Sequence, residues 1–103
     1  MMNLEWFHEE VTEELDGACN YIKVAIENKT MHPDWAKNLY SMSIQELDHA
    51  TKIYSMMQEY YKGLVAAFPN GLPKYIETCM AESTAFYTEK YSKIKILQEL
   101  FSK

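Results

Sequence analysis

The stretch Glu46-Leu47-Asp48-His49-Ala50 decides how this chain is interpreted. It lies inside residues 34–62, which contain neither glycine nor proline and therefore favour one long helix. On a helix, the spacing of three residues places Glu46 and His49 side by side on one face. A carboxylate next to a neutral imidazole suits iron or manganese, and also zinc. The stretch therefore predicts a pair of metal ligands on a long helix.

Breaking residues on either side of this stretch divide the chain into helices. Pro33 suits the first turn of a helix, where its missing N–H group has no partner to lose. Phe68-Pro69-Asn70-Gly71 is a turn signal, and Gly63 before it suits a helix end. Because the 103 residues match the common size of one domain, we predict a single all-α domain, 1–103. Its predicted helices cover about 3–29, 33–62 and 73–101.

The periodicity of the first two segments predicts a hairpin of two long antiparallel helices, with the third helix added to it. Residues that recur at steps of three and four form one stripe on each helix, which we expect to be buried. The first stripe is Leu4, Phe7, Val11, Glu14, Ala18, Tyr21 and Ala25; the second is Trp35, Leu39, Met42, Glu46, His49, Ile53, Met56 and Tyr60. Other apolar residues flank the stripes, namely Leu15, Ile22 and Ile26 on the first helix and Leu47, Tyr54 and Met57 on the second. The third segment has an interrupted stripe, made of Ile76, Met80, Ser83, Tyr87, Ile94, Leu97 and Phe101.

Three polar residues, Glu14, Glu46 and His49, occupy positions that the stripes assign to the core. A buried carboxylate without a partner is costly and tends to take up a proton, so something must compensate for its burial. All three residues lie about 15–18 residues from the centre of the first loop. In an antiparallel hairpin such residues meet at the same height, so the three side chains are predicted to converge on a metal ion.

Other interpretations of these residues remain open. Glu14 could face solvent if the first helix is rotated, because Glu9, Glu10 and Glu13 surround it. The carboxylate and imidazole of residues 46 and 49 could form a hydrogen-bonded pair at a subunit interface without metal. A second pair with the same spacing, at residues 5 and 8, is interpreted as incidental because it lies off the stripe.

The run Glu14-Leu15-Asp16-Gly17-Ala18-Cys19-Asn20-Tyr21, followed about thirty residues later by residues 46–50, resembles the first half of ferritin-like or rubrerythrin-like di-iron proteins. The resemblance covers about residues 4–62. In that family, one helix carries a metal-binding Glu with a Tyr seven residues later, and the next helix carries Glu-x-x-His. The resemblance implies a di-iron site with Glu14, Glu46 and His49 as ligands and Tyr21 in a supporting position beside them. It also implies oxidation of ferrous iron as the activity, if the protein is an enzyme.

This chain offers only half of the ligands of that family. A complete ferritin-like bundle has four helices with four Glu and two His ligands, whereas the third segment here has Glu77, Glu82 and Glu89 but no His. We therefore predict a homo-oligomer, at least a dimer, in which dimerisation completes the four-helix bundle and the site. In this respect the chain is similar to the half-length, encapsulated ferritins. The third helix is expected to cover the interface or to extend assembly; alternatively, it folds over the pair and completes a bundle within one chain.

The composition limits which binding partners and which cellular compartment are expected. The net charge of −5 argues against nucleic acid and anionic membranes, because an acidic surface releases no counterions from either. No apolar run approaches the ~20 residues of a membrane span, and residues 1–10 lack the features of a signal peptide. Two cysteines do not suggest a disulfide framework, so a cytoplasmic protein with reduced thiols is expected. The rival function is a non-catalytic helical module for interaction or assembly, without metal.

Overall fold

The structure, a computed structural model, describes residues 3–103, which form three α-helices. They are α1 (Leu4–Glu27), α2 (Pro33–Ala67) and α3 (Lys74–Ser102). The all-α prediction and the number of helices are confirmed for these residues. None of the three helices in this part of the chain combines the length and the apolarity that crossing a membrane requires.

Local capping explains where the helices begin. The side chain of Asn3 accepts a hydrogen bond from the backbone N–H of Trp6 at 2.8 Å, which satisfies one of the free donors at the start of α1. Pro33 is the first residue of α2, and Asp34 places a negative charge at the positive end of the helix dipole. The start of α2 at Pro33 agrees with the prediction from the breaking residues.

One predicted helix end is wrong by a full turn. Gly63 does not end α2, which continues to Ala67. A glycine inside a helix costs only about 1 kcal/mol relative to alanine, and the helix ends where Phe68 precedes Pro69, a position that disfavours helical backbone. The other ends agree with prediction to within two residues.

The hairpin of α1 and α2 packs on a different stripe of α2 from the one predicted. Leu4, Phe7, Val11, Ala18 and Ala25 of the α1 stripe are buried as predicted. None of the eight predicted stripe residues of α2 is buried, and each is half-buried or exposed. The buried residues of α2 are Ala36, Ser43, Leu47, Ala50, Tyr54 and Met57. All six follow a predicted stripe residue by one position, so the helix is turned by about 100° from the prediction.

A chain of buried polar groups joins the three helices. The amide of Gln98 on α3 donates a hydrogen bond to the hydroxyl of Ser43 on α2 at 3.0 Å. The same hydroxyl donates to the backbone carbonyl of Ala18 on α1 at 2.7 Å. Because both side chains are almost fully buried, these bonds satisfy groups that would otherwise be costly inside the core.

Helix α3 lies along one flank of the hairpin. The hydroxyl of Tyr54 donates to Thr84 at 2.9 Å, and the hydroxyls of Thr51 and Tyr87 are 3.0 Å apart. The rings of Tyr54 and Tyr87 also stack with centroids 4.1 Å apart. Helix α3 therefore covers the Thr51 side of α2 and not the side that carries Glu46.

Candidate metal centre

The structure brings Glu14, Glu46 and His49 together across the hairpin. Each offers one ligand atom, and the three atoms all lie within 4.8 Å of one another. Glu46 and His49 are adjacent on one face of α2, and Glu14 approaches them from α1. This is the only group of three such residues among residues 3–103 that could hold a metal ion.

The expectation that these residues lie in the core is wrong. Glu14 and Glu46 are half-buried, and the side chain of His49 is 53% exposed. The rotation of α2 accounts for this difference, because it turns Leu47 and Ala50 inward and leaves their neighbours Glu46 and His49 at the edge of the helix pair. The group therefore lies on the uncovered flank of the hairpin.

One carboxylate oxygen of the group has no partner. Oε2 of Glu14 is shielded from water and accepts no hydrogen bond within residues 3–103. Nδ1 of His49 lies 3.6 Å away, which is too far for a hydrogen bond. A buried acceptor without a partner is destabilising, and a cation bound to this oxygen would supply the missing interaction.

The Glu46 carboxylate fits against α1 at Gly17. A Cβ atom built on Gly17 would lie 3.2 Å from Oε2 of Glu46, closer than ordinary van der Waals contact. Sequence reasoning missed this residue. The available signal was a glycine inside a predicted helix, one turn after a predicted ligand and on the same face.

The surroundings of Glu14 favour its protonated form up to about neutral pH. The pKa of Glu14 is raised from 4.5 to about 7, chiefly because its carboxyl group, once protonated, can share the proton with that of Glu46. Burial and the negative charge of Glu46 raise this pKa further, whereas His49 lowers it. The pair is therefore poised to release a proton when a cation binds near neutral pH.

This raised pKa predicts how the stability of the metal-free protein depends on pH. Between the unfolded pKa of 4.5 and the folded pKa of about 7, the folded chain holds more protons at Glu14. Its free energy of unfolding should therefore fall as the pH rises through this range. Thermal unfolding of metal-free wild type and Glu14→Gln between pH 5 and 8 checks this. We expect the wild type to lose stability relative to the variant, and parallel profiles would contradict the assignment.

Tyr21 lies apart from the three side chains. It is half-buried on α1, seven residues from Glu14, or about 10 Å along the helix. It makes no side-chain hydrogen bond among the described residues, so its supporting position remains a prediction.

The second Glu-x-x-His pair has a different environment. Nδ1 of His8 lies 2.6 Å from the hydroxyl of Ser83 on α3. Nearby Cys79 has its pKa raised, first by burial, and is therefore a neutral thiol. His8 thus contacts α3, whereas Glu14, Glu46 and His49 lie between α1 and α2.

The same uncovered flank carries an apolar seam on α2. Trp35, Met42, His49 and Met56 stand seven residues apart, and Leu39, Glu46, Ile53 and Tyr60 alternate with them; we call these eight residues the α2 seam. Three large apolar members are 60%, 40% and 48% exposed, namely Trp35, Met42 and Met56. Apolar residues at alternating steps of three and four are typical of a helix that packs lengthwise against another helix. Within residues 3–103 no helix lies along these three exposed members, whereas Leu39, Ile53 and Tyr60 pack in part against the hydrophobic core.

Comparison of the chain with protein-family models, with curated proteins and with solved structures finds no match.

Proposed function

We propose that this chain is a ferritin-like metal-binding protein whose di-iron carboxylate site forms between two copies. The observation that carries the proposal is the convergence of three candidate ligands around the unpartnered Oε2 of Glu14. Three nearby acidic or imidazole groups are by themselves a common surface feature. A shielded oxygen without a hydrogen bond is uncommon in folded proteins, and it favours a cation as the missing partner.

The α2 seam supports a second copy as the other half of the site. A two-fold axis through the uncovered flank would place the same half-exposed apolar residues of both chains against each other. It would also bring together four carboxylates and two imidazoles from residues 14, 46 and 49 of the two copies. That donor set is the one that ferritin-like bundles use for two metal ions.

Each ligand has a distinct role in this proposal. The carboxylates of Glu14 and Glu46 would hold the cations and neutralise their charge, with Glu14 losing the proton that its raised pKa favours. The imidazole of His49 binds one metal through a ring nitrogen, and the donor set suits iron best, with manganese or zinc as competitors. A site of this kind would allow dioxygen or peroxide to oxidise bound ferrous ions to ferric ions, which is a ferroxidase activity.

The proposal is tested by measuring metal content and native mass. Both are measured on one sample of the wild-type chain that has been prepared with ferrous iron. We expect a dimer that holds two iron ions. A dimer without metal would instead support a helical interaction module, for which the α2 seam is the relevant feature. A monomer without metal would overturn the proposed function in both parts.

A further inference from the structure

Gly17 stands in the interior of α1, where glycine is a poor choice. Apart from proline, glycine is the least favourable residue inside a helix, and Gly17 has no positive backbone φ angle that would require it. It lies one turn after Glu14 on the same side of the helix. Its presence therefore needs a reason other than backbone conformation.

The surroundings of Gly17 supply that reason. The three atoms nearest to a Cβ built at this position all belong to Glu46: Oε2 at 3.2 Å, Cδ at 3.7 Å and Cγ at 3.8 Å. The other helical glycine, Gly63 on α2, would place its Cβ with nothing within 4 Å. The space left by the missing side chain at Gly17 is thus filled by one carboxylate of the candidate metal centre.

We propose that Gly17 is a positioning residue for the metal site, and this inference rests on the proposed function. The missing Cβ lets the Glu46 carboxylate lie against α1 beside Glu14, so that the ligand atoms of the two groups are within 4.8 Å of each other. An alanine here would press on the far end of a flexible side chain. The carboxylate would move away from α1 by a few tenths of an ångström, and the two carboxylates would separate.

The first experiment needs no metal. The thermal unfolding of metal-free wild type is compared with that of Gly63→Ala, Gly17→Ala, Glu46→Ala and the double variant Gly17→Ala/Glu46→Ala. Gly63→Ala should raise Tm by about 4 °C, because alanine favours the helix and meets no neighbour there. Gly17→Ala should raise Tm by less in the wild type and by more in the Glu46→Ala background, where the crowding atoms are gone. Equal effects of Gly17→Ala in both backgrounds would overturn the inference.

The second experiment measures the affinity for ferrous iron under anaerobic conditions by calorimetric titration. We expect Gly17→Ala to bind about tenfold more weakly than wild type, a loss typical of disturbed ligand support, and Gly63→Ala to bind as wild type does. Equal affinities of Gly17→Ala and wild type would overturn the role of Gly17 and leave the proposed function standing. A wild-type chain that binds no iron would overturn the proposed function itself, whatever the variants do.

Discussion

Replacing Met42 with lysine is expected to weaken dimerisation at least about 100-fold, whereas replacing Ile44 with lysine should leave it unchanged. Met42 belongs to the α2 seam, which we propose to be buried between two copies. A lysine there would bury two unpaired charges per dimer, at a cost of about 3 kcal/mol or more. Because Met42 is 40% exposed in the single chain, the fold of the protomer should tolerate the change.

Ile44 provides a matched control for this substitution. It lies two residues further along the same helix and is 43% exposed, nearly the same as Met42. It lines the groove between α2 and α3 on the other flank. Sedimentation of both variants and of wild type shows which flank of α2 forms the dimer interface. All three proteins are compared at the same concentration and with ferrous iron present. Equal dissociation of the two variants would contradict the placement of the interface on the α2 seam.

Replacing Glu46 with glutamine is expected to reduce the affinity for ferrous iron by more than about 100-fold without loss of the fold. The amide keeps the shape of the side chain but removes the charge that a hard cation requires. In the metal-free protein the same change relieves the repulsion between the carboxylates of residues 14 and 46, so stability above neutral pH should be equal or higher. Added iron should raise the Tm of wild type but not of the variant.

Asp48→Asn is the control for Glu46→Gln. Asp48 lies two residues away on α2 and pairs with Lys52 at 2.9 Å on the exposed surface. A surface ion pair contributes at most about 1 kcal/mol, so this variant should bind iron and unfold as wild type does. Calorimetric titration of both variants in parallel provides the comparison. If Glu46→Gln binds iron as tightly as Asp48→Asn, Glu46 is not a ligand.

The hairpin and the convergence of Glu14 with Glu46 and His49 were predictable from the sequence, because breaking residues and the distances from the loop determine both. Pro33 marks the start of α2, and equal distances from the loop place Glu14 opposite Glu46 and His49. These features follow from helix geometry alone. They do not depend on which large side chains pack against which neighbours.

The rotation of α2 could not be predicted in the same way. Its inner face includes the small residues Ala36, Ser43 and Ala50, whereas Trp35 and Met42 next to them look more suited to a core. Small residues let two helices approach closely, and periodicity does not show which part of a wide apolar face they select. The larger residues are therefore left outside, where only a second packing partner can bury them.

The hydrogen bonds of Ser43 set the register of the hairpin. Ser43 lies one turn before Glu46, and the carbonyl that it contacts belongs to Ala18, the residue after Gly17. Sliding α2 by one turn would displace it by about 5.4 Å and leave Ser43 and Gln98 without partners in the dry interior. Shifted alignments of α1 and α2 are thus disfavoured, and the buried hydrogen bonds select a single alignment of the two helices. In that alignment, the carboxylate of Glu46 lies against Gly17, where the missing side chain leaves space for it.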